Sequence, residues 1–275
     1  VNNFSNESLE FEPVWTLPKG FVFKQDPLAD SRVPARGKLV LTGILTFNDD
    51  VKLDAFQFVT LKDKHDRALP MTMAVRPWRL DTAKIGGDWI DFSSPEQWQV
   101  WELGSMEPNI KAKFRTSVKN GQLIVSVLVD DPEHVNNESP LDAWRGDSIQ
   151  FVIQKRDADG KRIGKDHKER TARNWQEFTV AKARDGEIVY RHIGDPKGIL
   201  KKSKLKFQRI DNRQSLYEVT LDPAETGFDF SKPGVFGFSL VVNSNSGKGR
   251  DGYLFWGKGI ADQKNSARFN LLRCE

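Results

Sequence analysis

The chain has very little cysteine, histidine and methionine: its 275 residues include one cysteine, four histidines and three methionines. The one cysteine, Cys274, stands next to the last residue, so no internal disulfide and no cysteine-based zinc set is expected. No hydrophobic run reaches the roughly 18 residues that a membrane-spanning helix needs. The opening residues VNNFSNESLEFEPVW lack the basic, apolar and small-residue order of a signal peptide, so we expect that any such segment has been removed.

Motifs of catalysis are also missing. There is no Gly-x-Ser-x-Gly, no His-Glu-x-x-His, no phosphate loop and no Cys-His arrangement. Asp130 and Asp131 are adjacent carboxylates, but adjacent side chains of an extended segment point to opposite faces. We therefore predict that the chain is not an enzyme and has no catalytic residues. Its net charge of +4, from 42 basic and 38 acidic residues, does not predict a nucleic-acid partner.

Aromatic residues are abundant, with 18 phenylalanines and 8 tryptophans, which indicates a globular chain with a real core. Short alternating segments separated by Pro, Gly, Asp and Asn run through the sequence, and helical periodicity is rare. An exception is a helical turn at 222–226, where Asp222 and Pro223 suit the N-cap and first turn. The pattern predicts an all-β protein, an antiparallel β-sandwich over 81–275 preceded by a small β-rich, Ig-like or partial sandwich domain over 1–80.

Two strand signals with an unusual connection lie between residues 122 and 154. Apolar residues occupy both faces of 122–130, which predicts an inner strand, and a second strand follows at 148–155. The connection is polar, is too long for a tight hairpin and carries Trp144. We expect Asp147, just before the second strand, to accept backbone N–H bonds and hold the loop. Trp144 is either a platform for a ligand or a packing lid.

Four segments carry a resemblance to the family 9 carbohydrate-binding modules. They are AKIGGDWIDF at 83–92, LIVSVLVDDPEHV at 123–135, DAWRGDSIQFVIQ at 142–154 and GYLFWGKGIADQKNSARFNLLRC at 252–274. The resemblance covers roughly residues 80 to 275. It implies a two-sheet sandwich in which a loop-borne aromatic ring stacks on a sugar face while polar side chains bond the sugar hydroxyls.

Residue by residue, the resemblance makes Trp144 a stacking ring and places Gln150 where sugar-binding members have an acidic contact. The predicted ligand-binding residues are Trp144, Gln150, Gln176 and Asn243. Two positions depart from the family pattern. No aromatic residue stands near Gln263, where a second stacking tryptophan is expected, and no arginine stands near Thr179. Trp89, Trp98, Trp101, Trp175 and Trp256 lie in or beside apolar strand patterns, and we assign them to the core.

The acidic turn after the inner strand offers oxygen ligands for a hard cation. Asp130, Asp131 and Asn136, with Glu133, form the predicted metal site, and calcium is the metal that the resemblance implies. The competing interpretation is a solvated acidic turn. No cofactor is required by either interpretation, and a structural calcium ion is the one cofactor that we predict.

The resemblance further implies a secreted or cell-surface bacterial protein, with a glycan as partner, no membrane span, and other domains in the same polypeptide. Two alternatives stay open. The first is a structural or adhesive β-sandwich without a sugar ligand. The second is a haem-binding relative using Met71, Met73 or Met106, although methionine in strands is ordinary core filler. The basic stretch 155–173 suits either an acidic glycan or, as we prefer, an exposed hairpin.

Overall fold

A computed structural model describes residues 1–28, 30–52, 55–101, 104, 107–163, 175–261 and 264–275. The chain divides into two compact units, Val1–Arg79 and Leu80–Glu275. Within the described ranges, no helix is long and apolar enough to cross a membrane. The predicted Met106 and Gln263 positions, and most of the basic stretch after residue 163, lie outside the described residues.

The first unit is built from short antiparallel strands. They are β1 Leu9–Glu10, β2 Pro13–Thr16, β3 Phe21–Gln25, β4 Arg32–Val33, β5 Gly43–Phe47, β6 Gln57–Asp63 and β7 Met71–Val75. They form three small sheets, in which β1 pairs with β4, β3 with β5, and β6 lies between β2 and β7. Asp63, at the end of β6, accepts the backbone N–H of Glu12 at 2.9 Å and the guanidinium of Arg67 at 3.0 Å, so it ties the β6 turn to the strand beside it.

The second unit contains the longer strands. They are β8 Thr82–Lys84, β9 Ile90–Asp91, β10 Trp98–Val100, β11 Lys111–Lys119, β12 Gln122–Asp130, β13 Ser148–Lys155, β14 Trp175–Ala183, β15 Gly186–Ile193, β16 Gly198–Ile199, β17 Lys204–Arg209, β18 Gln214–Leu221, β19 Gly234–Asn245, β20 Arg250–Trp256 and β21 Asn270–Cys274. Short 3-10 helices span Pro95–Gln97, Ala143–Arg145 and Ser266–Arg268, and α1 spans Pro223–Thr226. As predicted, Asp222 caps α1, accepting the N–H of Ala224 at 2.8 Å.

These strands make two sheets. One follows the order β10, β20, β19, β13, β14, β15, β16, with β21 paired to β19 and β8 to β21. The other follows the order β17, β18, β12, β11, β9. The pairings are antiparallel except for β21 with β8. β12 lies between β11 and β18, which confirms the inner strand predicted from its two apolar faces.

The core lies between the two sheets and follows from the period of two along each strand. Val125 and Val127 of β12 and Phe151 of β13 are fully buried in one cluster drawn from both sheets. Phe114 and Phe238 meet across the interface with ring centroids 5.8 Å apart. Each such side chain contributes about 1.5 to 3 kcal/mol on burial. The predicted all-β, antiparallel sandwich is confirmed, and the same alternation sends the intervening β13 residues to the outer face of the larger sheet.

Candidate functional site

The loop between β12 and β13 is held in place by the carboxylate of Asp147. Its Oδ2 accepts the N–H of Val135 at 2.5 Å and its Oδ1 accepts the N–H of Asn245 at 2.7 Å. The buried Asn136 amide donates to the carbonyls of Ala143 and Asp147 at 2.8 and 3.1 Å. These bonds confirm the structural role predicted for Asp147. They fix the 3-10 turn Ala143–Arg145, which presents Trp144.

Trp144 forms part of the wall of a cavity of about 380 Å³ on the outer face of the larger sheet. The lining residues are Trp101, Trp144, Gln150, Glu177, His192, Ile193, Arg250, Ile260, Ala261 and Lys264. Trp101 and Trp144 meet edge to face, with centroids 6.3 Å apart and an interplanar angle of 83°. Trp101 keeps 36% of its surface exposed, and its backbone N–H donates to the carbonyl of Asp251 in β20 at 2.8 Å. The cavity volume falls within the roughly 300–1,000 Å³ common for small-molecule sites.

Arg250, at the start of β20, lies among three aromatic rings. Its guanidinium carbon is 4.9 Å from the Trp101 centroid, 5.4 Å from that of Trp144 and 4.5 Å from that of Tyr253. One terminal nitrogen, Nη2, donates to Oδ1 of Asn243. Burial lowers the pKa of Arg250 to about 10, so the side chain is a cation at neutral pH.

A chain of polar side chains continues from Arg250 across the floor of the cavity. Asn243 donates to Oε1 of Gln150 at 3.2 Å, and Gln150 donates to Oε1 of Glu177 at 3.4 Å. Lys264 donates to the same Glu177 oxygen at 2.5 Å. Arg250, Asn243, Gln150 and Glu177 lie on the neighbouring strands β20, β19, β13 and β14. The register of these strands puts the four side chains on one face of the sheet. A ligand over this floor meets donors and acceptors in a fixed order.

Glu177 has one oxygen without a partner. It is 1% exposed, and its Oε2 has no hydrogen-bond partner among the residues that the structure describes. Burial raises the pKa of Glu177, while Lys264 opposes that shift. An unpaired buried acceptor costs about 1 to 3 kcal/mol, so a donor from a ligand is favoured at this oxygen.

His192 is a further titratable group among the described residues of the cavity wall. Its Nε2 lies 2.9 Å from the hydroxyl of Thr179. Burial is the main cause that lowers the pKa of His192 to about 4, so the ring is neutral at physiological pH. The described lining residues therefore include two cations, Arg250 and Lys264, and the carboxyl group of Glu177.

Three of the four predicted ligand-binding residues come together here. Trp144 and Gln150 line the cavity, and Asn243 lies directly behind it, 2% exposed. Gln176 does not join them. It donates to the Thr226 carbonyl at 2.5 Å and accepts from Arg191 at 3.0 Å. The physical reason is that side chains alternate between the two faces of a strand, and Gln176 lies on the inner face of β14 with residues 178 and 180.

The predicted metal ligands are engaged with other groups. Asp130 pairs with Arg213 at 2.9 Å, and Asp131 accepts the N–H of Glu133 at 3.1 Å. Burial raises the pKa of Asp131 to about 6. The Asn136 amide nitrogen faces two carbonyls, as described above. Among the described residues, no three His, Cys, Asp or Glu side chains are grouped to hold a metal, and calcium binding at this turn stays a prediction.

Four site residues were missed by sequence reasoning: Trp101, Glu177, Arg250 and Lys264. Trp101 was assigned to the core, and this assignment is wrong because the ring lies at the rim of the cavity. Its polar surroundings, WELG, are the signal that pointed away from a core position. Trp175 and Trp256 are 2% and 3% exposed, which confirms their predicted places in the core.

The solved structures similar to this chain include two from Caldicellulosiruptor kristjanssonii, both carbohydrate-binding modules of family 9. The module in complex with glucose is 16% identical, with 71% of this chain and 96% of that chain covered and a TM-score of 0.47. The module in complex with cellotriose is 16% identical, with 70% and 92% covered and a TM-score of 0.45. No protein-family model and no curated protein sequence matches this chain. At these identities and TM-scores, the likeness assigns no ligand to this chain.

Proposed function

We propose that the unit Leu80–Glu275 is a non-catalytic carbohydrate-binding module and that its ligand occupies the cavity beside Trp144. The observation that carries this proposal is the pairing of one exposed and one half-buried indole ring, Trp101 and Trp144, with an unsatisfied, buried acceptor at Glu177. A sugar ring has an apolar face of C–H groups and a rim of hydroxyls. Indole rings cover the first, and groups such as Glu177 and Gln150 repair the hydrogen bonds that hydroxyls lose when water leaves.

The described part of the cavity differs from a site for glycoside hydrolysis. That reaction uses two carboxyl groups about 5 to 9.5 Å apart on either side of the bond. Among the described residues that line the cavity, Glu177 is the one carboxyl group, and it is bound by Lys264 and Gln150. This arrangement supports binding without bond cleavage. It leaves any glycan-degrading activity to another domain of the same polypeptide.

A module of this kind serves by holding a polysaccharide close to other domains. We therefore place the chain in a secreted or cell-surface bacterial protein, with a polysaccharide or oligosaccharide as partner and further domains in the polypeptide. A solution test of localisation is direct: an antibody against the chain should label intact cells or detect the protein in the medium.

The binding test uses the whole chain on an oligosaccharide array and affinity gels. We expect saturable binding to at least one glycan, weakened about 10- to 100-fold in Trp144→Ala and in Trp101→Ala, since loss of one aromatic platform removes about 1.4 to 2.8 kcal/mol. Trp89→Ala is the matched control. Trp89 is half-buried and has the guanidinium of Arg115 over its ring at 4.7 Å, but it does not line the cavity.

Two outcomes contradict the proposal. If no glycan is retained at millimolar concentration, the structural or adhesive module without a sugar ligand becomes the better account. If a glycan binds equally well to the Trp144→Ala, Trp101→Ala and Trp89→Ala variants, the chain binds sugars somewhere other than this cavity.

A further inference from the structure

The charge distribution in the cavity identifies the chemical class of the ligand. We propose that the module recognises an anionic glycan, in which a carboxylate or sulfate group of the sugar pairs with Arg250. This inference rests on the proposed carbohydrate binding and narrows it.

The two cations of the cavity differ in their partners. Lys264 already has a carboxylate partner, because its Nζ lies 2.5 Å from Glu177. Arg250 forms no ion pair with any carboxylate in the part of the chain that the structure describes, and its hydrogen-bond partner is the neutral amide of Asn243. With His192 neutral, the charges of Lys264 and Glu177 offset each other. Among the cavity residues that the structure describes, Arg250 then remains as an unbalanced positive charge.

The surroundings of Arg250 make that imbalance costly. Its Nε is buried and has no hydrogen-bond partner among the described residues. The three rings around its guanidinium interact with the cation through their faces, which contributes about 0.5 to 2 kcal/mol. The rings do not accept hydrogen bonds from the N–H groups, which lie in the plane of the guanidinium. An anion beside the guanidinium would supply the missing counter-charge and, where it reaches Nε, the missing acceptor.

Guanidinium chemistry favours a planar or multidentate anion. The arginine fork matches carboxylate and phosphate-like oxyanions with two parallel N–H bonds. A sugar carboxylate and a sulfate ester both present such oxygens. Both are also attached to a pyranose ring, whose C–H face can lie against the Trp101 and Trp144 rings next to Arg250. The stacking and the ion pair can therefore be made by one residue of the ligand.

The other end of the polar chain sets the ligand's orientation. β20 carries Arg250 and β14 carries Glu177, and β19 and β13 lie between them. Three strand spacings amount to about 14 Å of sheet. An anionic group near Glu177 would meet a carboxyl group, whereas a hydroxyl donor would satisfy its Oε2. The charged substituent thus belongs at the Arg250 end and uncharged hydroxyls at the Glu177 end.

The test compares glycans that share a backbone and differ in charge. Galacturonate, glucuronate and alginate oligosaccharides are each titrated against the whole chain beside their carboxyl-reduced counterparts, and carrageenan oligosaccharides beside their desulfated counterparts. We expect the charged member of at least one pair to bind at least tenfold more tightly at physiological salt. A preference within the uronate pairs would indicate recognition of a carboxylate, and a preference within the carrageenan pairs would indicate recognition of a sulfate ester.

Single-residue variants then test whether Arg250 is responsible for the preference for charged glycans. Arg250→Gln should abolish the ratio between charged and neutral members, while Arg250→Lys, which keeps the charge but not the fork, should retain part of it. Arg184→Gln is the control for net charge, because Arg184 is 68% exposed in its side chain and pairs with Asp185 outside the cavity. It should leave the ratio unchanged.

Equal binding of charged and neutral members by the wild-type chain would overturn the inference while glycan binding stands, and so would a preference for the neutral members. A charge preference that survives in Arg250→Gln would also overturn it. Absence of binding to every glycan, charged or neutral, would remove the proposed function together with this inference. The wild-type ratio decides the question even if a variant fails to fold.

Discussion

Asp147 should make the stability of the larger unit depend on pH in a direction opposite to that of most carboxylates. Burial raises the pKa of its carboxyl group to about 8, and nearby Asp131 adds to the shift, against the lowering by the N–H groups of Val135 and Asn245. A group whose folded pKa is raised above the unfolded value of 3.8 binds its proton more tightly in the folded state. Its contribution to stability is full below the unfolded pKa and is lost as pH rises through 8.

The magnitude follows from these two pKa values. Between pH 8 and pH 6.5 the unfolded carboxyl group is ionised throughout, while the folded one passes from half to almost fully protonated. The Asp147 contribution to the free energy of unfolding should rise by about 1.6 kcal/mol over that interval. Burial lowers the pKa of His134 and of His192, and because an unfolded histidine has a pKa of about 6.5, each opposes this rise by up to about 0.4 kcal/mol at pH 6.5. The net rise of about 0.8 to 1.2 kcal/mol corresponds to about 2 to 5 °C in melting temperature for a unit of this size.

The assay is thermal and urea unfolding of the whole chain at pH 6.5 and pH 8, followed by circular dichroism, for wild type and two variants. Asp147→Asn should lose the rise in stability between pH 8 and pH 6.5, because only the opposing histidine contributions remain. It should also lose about 1 to 3 kcal/mol, since its NH2 group faces one of the two N–H donors. Asp185→Asn, which removes a side chain that is 61% exposed, should behave as wild type. A flat wild-type profile would refute the reasoning, and so would a slope that Asp147→Asn retains.

Three further predictions follow from buried contacts. Gly146→Ala should loosen the Trp144 loop, because its Cβ would lie 2.5 Å from Cγ of Asn136. The free energy of unfolding in urea should fall by about 1 to 3 kcal/mol. Unchanged stability would contradict this close contact. Gln176→Ala should lower the free energy of unfolding by about 1 to 3 kcal/mol, because Arg191 loses an acceptor. Glycan affinity should stay unchanged. A large loss of affinity in titration would show that Gln176 belongs to the binding site. Asp63→Asn should remove an acid-labile contribution from the first unit. The neighbouring guanidinium holds the pKa of Asp63 well below its usual range, so that contribution is present above pH 3.8 and is lost as pH falls, as hydrogen exchange between pH 5 and pH 3 would show.

Local pattern was enough to predict several parts of the site. The period of two in β13 separates Phe151, which packs in the core, from Gln150, which lines the cavity. The position of Asp147 before that strand predicted its N–H bonds. The same rule applied to β14 would have removed Gln176 from the predicted site, because Gln176 has the parity of the core residue Phe178.

The rest of the site depends on strand pairing that no local pattern specifies. Trp101 and Arg250 are separated by about 150 positions, and they meet because β10 pairs with β20 in a register that puts Val100 opposite Gly252. Lys264 reaches Glu177 from a loop that follows β20. A sheet built from distant segments brings such residues together through backbone hydrogen bonds, which are the same for any side chain. Their meeting could therefore be observed but not predicted.

The arrangement around Trp144 also bears on the choice between a ligand platform and a packing lid. A lid is closed by apolar neighbours, yet Trp144 has the exposed ring of Trp101 at its edge and the cation of Arg250 against it. A guanidinium is planar and stacks on aromatic rings, so it can stabilise an indole at a solvent-facing rim without covering it in hydrocarbon. The unpaired Nε of Arg250 would be an uncompensated cost in a purely structural lid. In a ligand platform, the same guanidinium meets an anion on a sugar that stacks beside it, and this contact offsets the cost. The ratio of the affinities for charged and neutral glycans therefore distinguishes a ligand platform from a packing lid at Trp144.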